Sequence, residues 1–134
     1  MDYHLGRLID HVHIRVVDTA KARRFYSAIL KALGHDLQEN GPYLYFDEFY
    51  ISADGPPTAK LHLAFQADDR AAVERFHQAG LEAGGRDNGA PGERRYHPGY
   101  YAAYLFDPDG NNIEAVHHGP STRSAASVVV TPGN

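Results

Sequence analysis

Apolar and polar positions alternate along residues 9–17, with Val12, Ile14 and Val16 on one face and His11, His13 and Arg15 on the other. A period of two, dense in β-branched residues, predicts a strand. The alternation returns over Leu61, Leu63 and Phe65, leaving His62, Ala64 and Gln66 opposite. After each strand the period lengthens. Ala22, Phe25, Tyr26, Ile29, Leu30 and Leu33 form a helical stripe that Asp18 can cap and Gly34 can stop. The second stripe is Val73, Phe76, Gly80 and Ala83, capped by Asp69 and ended by Gly84-Gly85. Gly80 weakens that helix by about 1 kcal/mol relative to alanine.

Shorter strands follow each helix. Residues 36–39, 43–46 and 49–52 read as a meander. Residues 100–106 and 111–116 flank Asp107-Pro108-Asp109-Gly110, a strong hairpin-turn signal. Residues 86–99 are rich in Gly, Pro, Asn and Arg and read mostly as a loop, of a length that is usually functional or disordered. Residues 55–59 form a natural linker, and no structure is expected for the tail 119–134.

The two halves are copies. A shift of 51 residues places His11 on His62, Asp18 on Asp69, Arg24 on Arg75, Phe25 on Phe76, Ala28 on Ala79 and Gly34 on Gly85, without a gap. Such a series in one register predicts two copies of one supersecondary unit. The expectation is α+β: two βαβββ modules, about 8–55 and 60–118, in a single domain 1–118 with a curved mixed sheet and the helices outside.

Composition narrows the function. At 134 residues, 43% hydrophobic and 22% charged, the chain is in the ordinary globular range. A net charge of −4 gives no electrostatic reason to expect nucleic acid or an anionic membrane as partner. No apolar run approaches the roughly 20 residues that span a bilayer, and Met1-Asp2-Tyr3-His4 does not begin a signal-peptide pattern. A cytoplasmic address is therefore the default expectation. Cysteine is absent, which removes disulfides, thiolate metal sites and cysteine nucleophiles. Nine histidines leave a rich supply of imidazole ligands.

His11 and His62 hold equivalent positions on the first strand of each copy, on the face opposite the helix-facing aliphatics. Glu114 lies on the last strand, with the apolar Ile113 and Ala115 facing the other way. A glutamate within an apolar strand is costly unless its charge is paired or bound to a metal. Two imidazoles and one carboxylate suit one divalent ion, Fe, Mn, Ni or Zn, and leave coordination positions open. The plainer alternatives are hydrogen-bonded strand histidines and a Glu114 paired with Arg15.

The stretches Ile9-Asp10-His11-Val12-His13-Ile14, Phe25-Tyr26, Leu61-His62-Leu63-Ala64-Phe65 and Phe106-Asp107-Pro108-Asp109-Gly110-Asn111-Asn112-Ile113-Glu114 resemble the vicinal-oxygen-chelate superfamily. That superfamily includes glyoxalase I, extradiol dioxygenases, fosfomycin thiol transferases and bleomycin-resistance proteins. The resemblance covers nearly all of residues 8–118. It implies a metal cleft held by His11, His62 and Glu114, a small substrate chelated through vicinal oxygens, and a homodimer. A glyoxalase or dioxygenase kind of enzyme, lyase, isomerase or dioxygenase, is the expectation. The alternatives are a fosfomycin-type thiol transferase and a non-catalytic binding protein of the bleomycin-resistance kind.

Particular members differ from this chain. Glyoxalase I adds a carboxylate ligand on a first-module strand, where the nearest residue here is Tyr45, or Glu48 after a shift. Fosfomycin transferases carry a tyrosine that Tyr104 would match, but a threonine where this chain has His13. Tyr104 is the candidate phenol toward a metal-bound oxygen, against a plain core role. His13 is the candidate acid–base or supporting group, against a barrel-filling one. His97, Tyr100 and Arg95 are the candidate substrate-binding residues at the mouth, with a solvated loop the plainer and favoured reading of His97 and Arg95.

Overall fold

A computed structural model describes residues 3–5 and 8–131, with side chains from residue 8 onward. Its elements run β1 Tyr3–Leu5, β2 Val12–Arg15, α1 Thr19–Ala32, β3 Gln38–Asn40, β4 Tyr43–Phe46 and β5 Phe49–Ser52. The second half continues with β6 His62–Gln66, α2 Arg70–Glu82, β7 Arg86–Glu93, β8 Tyr101–Phe106, β9 Asn112–His117 and β10 Val128–Val130. Two βαβββ modules result, each with its own four-stranded mixed sheet, ordered β2-β5-β4-β3 and β6-β9-β8-β7. In each, the first strand pairs parallel with the last, because a helix crosses over between them, and the other pairings are antiparallel. The fold is α+β, as the pattern predicts.

Asp18 and Asp69 accept from the backbone N–H groups of Lys21 and Ala72 at 3.0 and 2.8 Å, capping the two helices. Gly34 and Gly84, at φ 91° and 99°, turn the chain out of each helix in the left-handed region. The predicted stripes point inward: Phe25, Tyr26, Ile29 and Leu30 of α1 meet Val73 and Phe76 of α2 in one core with Ile14, Ile51, Leu105 and Ile113. Gly80 has a packing purpose, since a Cβ there would lie 2.2 Å from Leu105 Cδ1 and 3.0 Å from Ile29 Cγ2. The helix gives up propensity so that α1, α2 and β8 can close on one another.

Two regions differ from the sequence expectation. Residues 86–93 form an edge strand, not a loop, paired to β8 with register shifts between Asp87 and Gly89 and between Gly89 and Gly92. Bulges and an unpaired edge accommodate the glycines and Pro91, and they erase the alternation that would have signalled a strand. The tail also contains structure: Val128, Val129 and Val130 of β10 pair antiparallel with Leu5, His4 and Tyr3 of β1. Its last three residues lie outside the described ones. Among the described residues no helix is long and apolar enough to cross a membrane.

Candidate functional site

Glu114 is 1% exposed, yet it sits in the middle of β9. The parallel pairing with β6 sets Ala64 beside it, and the antiparallel pairing with β8 sets Tyr104 on its other side. His62, two residues before Ala64 and on the same face, reaches the carboxylate with Nε2 2.7 Å from Oε1. The Tyr100 hydroxyl donates to Oε2. Both oxygens of a buried charge are thereby satisfied, as a low-dielectric site requires. Arg15 is not the partner of Glu114, because its guanidinium turns to Asp54 at 2.9 Å.

Around this carboxylate stands a wall of phenols and imidazoles. The Tyr104 ring is 6.2 Å from that of His62. Burial, and then the hydrogen bond and charge of Glu114, push the Tyr100 hydroxyl far above the usual phenol range. Burial and the Glu114 charge raise that of Tyr104 as well. Both phenols are held as proton carriers at neutral pH. Tyr96, His97 and His118 pack edge-on against Tyr100, with centroids 4.9, 5.4 and 5.3 Å away. His97 Nε2 lies 2.9 Å from His118 Nδ1, which ties the loop to the end of β9.

The other candidates fall elsewhere. His11 is 57% exposed, with Nδ1 2.7 Å from Asp10 and its ring edge 5.9 Å from Tyr50. His13 Nε2 contacts the Ser52 hydroxyl at 2.7 Å, and that hydroxyl donates to Asp54 at 2.8 Å. Arg95 is exposed, and no hydrogen bond or ion pair ties it to the site among the described residues. The cation that meets the wall is its neighbour Arg94, whose guanidinium lies 5.2 Å over the Tyr104 ring. Arg94 and His118 escape sequence reasoning because a bulged strand and a loop carry no facing rule. The contiguous histidines 117 and 118 at the strand end were the one available signal.

Strand register also revises the repeat equivalences. With Val12 opposite Phe49 and Leu63 opposite Ile113, Tyr50 takes the place of Glu114, and Tyr45, opposite Tyr50, takes that of Tyr104. The residue standing where a fourth carboxylate would be is therefore Tyr50 rather than Tyr45. Among the described residues no three His, Cys, Asp or Glu side chains come together as a metal site. One chain brings together two of the three expected donors, His62 and Glu114, whereas catalytic zinc-type sites use three.

No protein with a curated description matches the chain. Solved structures do. A glyoxalase/bleomycin resistance protein from Albidiferax ferrireducens is 33% identical over 83% of this chain and 99% of its own, with a TM-score of 0.73. A family enzyme from Burkholderia phytofirmans matches at 21% identity over 81% of this chain and 96% of its own, TM-score 0.62. Glyoxalase I from Zea mays shares the fold at 20% identity over 90% of this chain and 46% of its own, TM-score 0.57. The sequence model of the Glyoxalase/Bleomycin resistance protein/Dioxygenase superfamily matches residues 8–115, and the chain belongs to that superfamily.

Proposed function

We propose that this protein is a divalent-metal-dependent enzyme of the glyoxalase or dioxygenase kind, whose site is shared between two copies. His62 and Glu114 of one chain and His11 of a second make up the ligand set. The observation that carries this reading is that His62 meets the buried carboxylate of Glu114, while its repeat equivalent His11, just as exposed, meets only the exposed carboxylate of Asp10. A twofold dimer would set each His11 against the other chain's pair. When bound, the ion would act as a Lewis acid on two neighbouring oxygens of a small substrate. Tyr100 and Tyr104 hold protons beside those oxygens, and Arg94 adds positive charge to the wall. His97 shapes that wall through Tyr100, whereas His13 belongs to the Ser52–Asp54 network of the first module.

A phenol at Tyr50 in place of a fourth carboxylate disfavours glutathione hemithioacetal isomerisation as the main activity. A second reading, metal-free small-molecule binding, draws on one observation: His62 and Tyr100 already satisfy both Glu114 oxygens. Metal analysis of protein purified without chelators separates the two. The expected result is about one divalent ion per chain, lost on treatment with a strong chelator. It should also be lost in His11→Ala, His62→Ala and Glu114→Ala. Full metal in all three variants refutes the site, and an absence of metal from the wild type favours the second reading. Turnover is then compared between the Fe(II) form with catechols and the Ni(II) form with methylglyoxal and glutathione.

A further inference from the structure

A cavity of about 430 Å³ opens where the two modules meet, within the roughly 300–1,000 Å³ range of small-molecule sites. Its apolar lining comes from both halves, with Val12, Leu30, Phe46 and Phe49 facing Leu63 and Phe65. Phe49 and Phe65 meet edge to face at 5.3 Å and join the two halves of the floor. His11, His62, Tyr100, Tyr104 and Glu114 do not line it, and it touches the site above only through Ala64, the strand neighbour of Glu114.

Its charged groups come from different segments, the acidic Asp47 and Glu48 from the first module and Arg123 from the tail. Glu48 comes from the two-residue turn between β4 and β5, where Asp47 takes φ 47° and fixes the turn's direction. Arg123 comes from the tail, where it and Ser127 are exposed and line the cavity's edge. Both charges line the same space, yet neither the Glu48 carboxylate nor the Arg123 guanidinium makes a hydrogen bond or ion pair among the described residues. His35 stacks on Phe46 at 4.7 Å and stiffens the rim.

We propose that this cavity is a second binding site, for a small apolar zwitterion of the hydrophobic α-amino acid class. The side chain of such a molecule packs on the aromatic floor. Its ammonium meets Glu48, and its carboxylate meets Arg123, whose planar fork matches a carboxylate. A ligand with one charge engages only one of Glu48 and Arg123.

Amide chemical shifts of the full chain, titrated with phenylalanine, phenethylamine and 3-phenylpropionate, test this. Phenylalanine should bind about tenfold more tightly than either analogue, as one added charged contact predicts, and shift the signals of Phe46, Leu63 and Phe65. Glu48→Gln should reduce phenylalanine to the level of phenylpropionate, and Arg123→Gln to that of phenethylamine. Glu114→Gln should leave all three unchanged. The proposal is overturned by silence at tens of millimolar phenylalanine, by equal binding of the three probes, or by shifts that vanish in Glu114→Gln.

Discussion

Arg24 and Arg75 exchange helix caps across the repeat. Arg24 of α1 donates to the Glu82 carbonyl at the end of α2 at 2.6 Å, and its counterpart Arg75 of α2 donates to the Ala32 carbonyl at the end of α1 at 3.3 Å. Each cation satisfies an orphan carbonyl at the negative end of the neighbouring helix. Arg24→Ala should cost about 0.3–1 kcal/mol and Arg75→Ala less, because both caps are exposed and the second is longer. Urea unfolding measures both. A larger loss from Arg75 would show that the shorter bond is not the stronger cap.

Gly80→Ala sets propensity against packing. Alanine would gain about 1 kcal/mol in an open helix. Here the new Cβ meets Leu105 Cδ1 at 2.2 Å, and Phe25 and Ile29 leave no room for retreat. Overpacking should win, with a net loss of about 1–3 kcal/mol. A thermal melt that rises on substitution contradicts the close approach.

Tyr26 and Asp107 predict an alkaline limit to stability. The buried Tyr26 hydroxyl donates to Asp107 at 2.6 Å, and burial together with that carboxylate holds its pKa well above the ordinary value. A raised folded pKa means that its stabilisation is complete below the unfolded value near 10 and is lost as pH climbs toward the folded one. Tyr26→Phe should cost about 1–3 kcal/mol at neutral pH. It should also flatten the decline above about pH 10, leaving the share due to Tyr100, Tyr101 and Tyr104, which are raised too. An unchanged alkaline slope would separate Tyr26 from that decline.

A site shared between copies makes a prediction that a single-chain site does not. Co-expressed His11→Ala and Glu114→Ala chains would form mixed dimers in which one site has all its ligands and the other lacks two. Metal content should recover to about a quarter of wild type in the mixture, although each variant alone stays empty. Zero recovery, with mixed dimers confirmed by mass, refutes sharing and assigns all three ligands to one chain.

The local devices were legible in the chain because neighbours decide them. The stripe through Phe25 and Ile29, the aspartate caps, the glycine stops and the 51-residue repeat depend on side-chain period and backbone sterics within one element. The pairing of His62 with Glu114 was nearly legible, since parity along β6 and β9 sets both on one face. Register was not. Which tyrosine stands in the place of Glu114 depends on how β5 slides past β2, and a slip of one residue inverts a strand's faces. The β1–β10 pair joins opposite ends of the chain, and the bulged β7 breaks the period that would have announced it. What surrounds His62 and Glu114 was decided by segments that set Tyr100 on Glu114, Arg94 on Tyr104 and His118 on Tyr100. A local pattern determines which face a residue takes. Only the closing of long loops, whose entropy the packed core offsets, determines what it meets there.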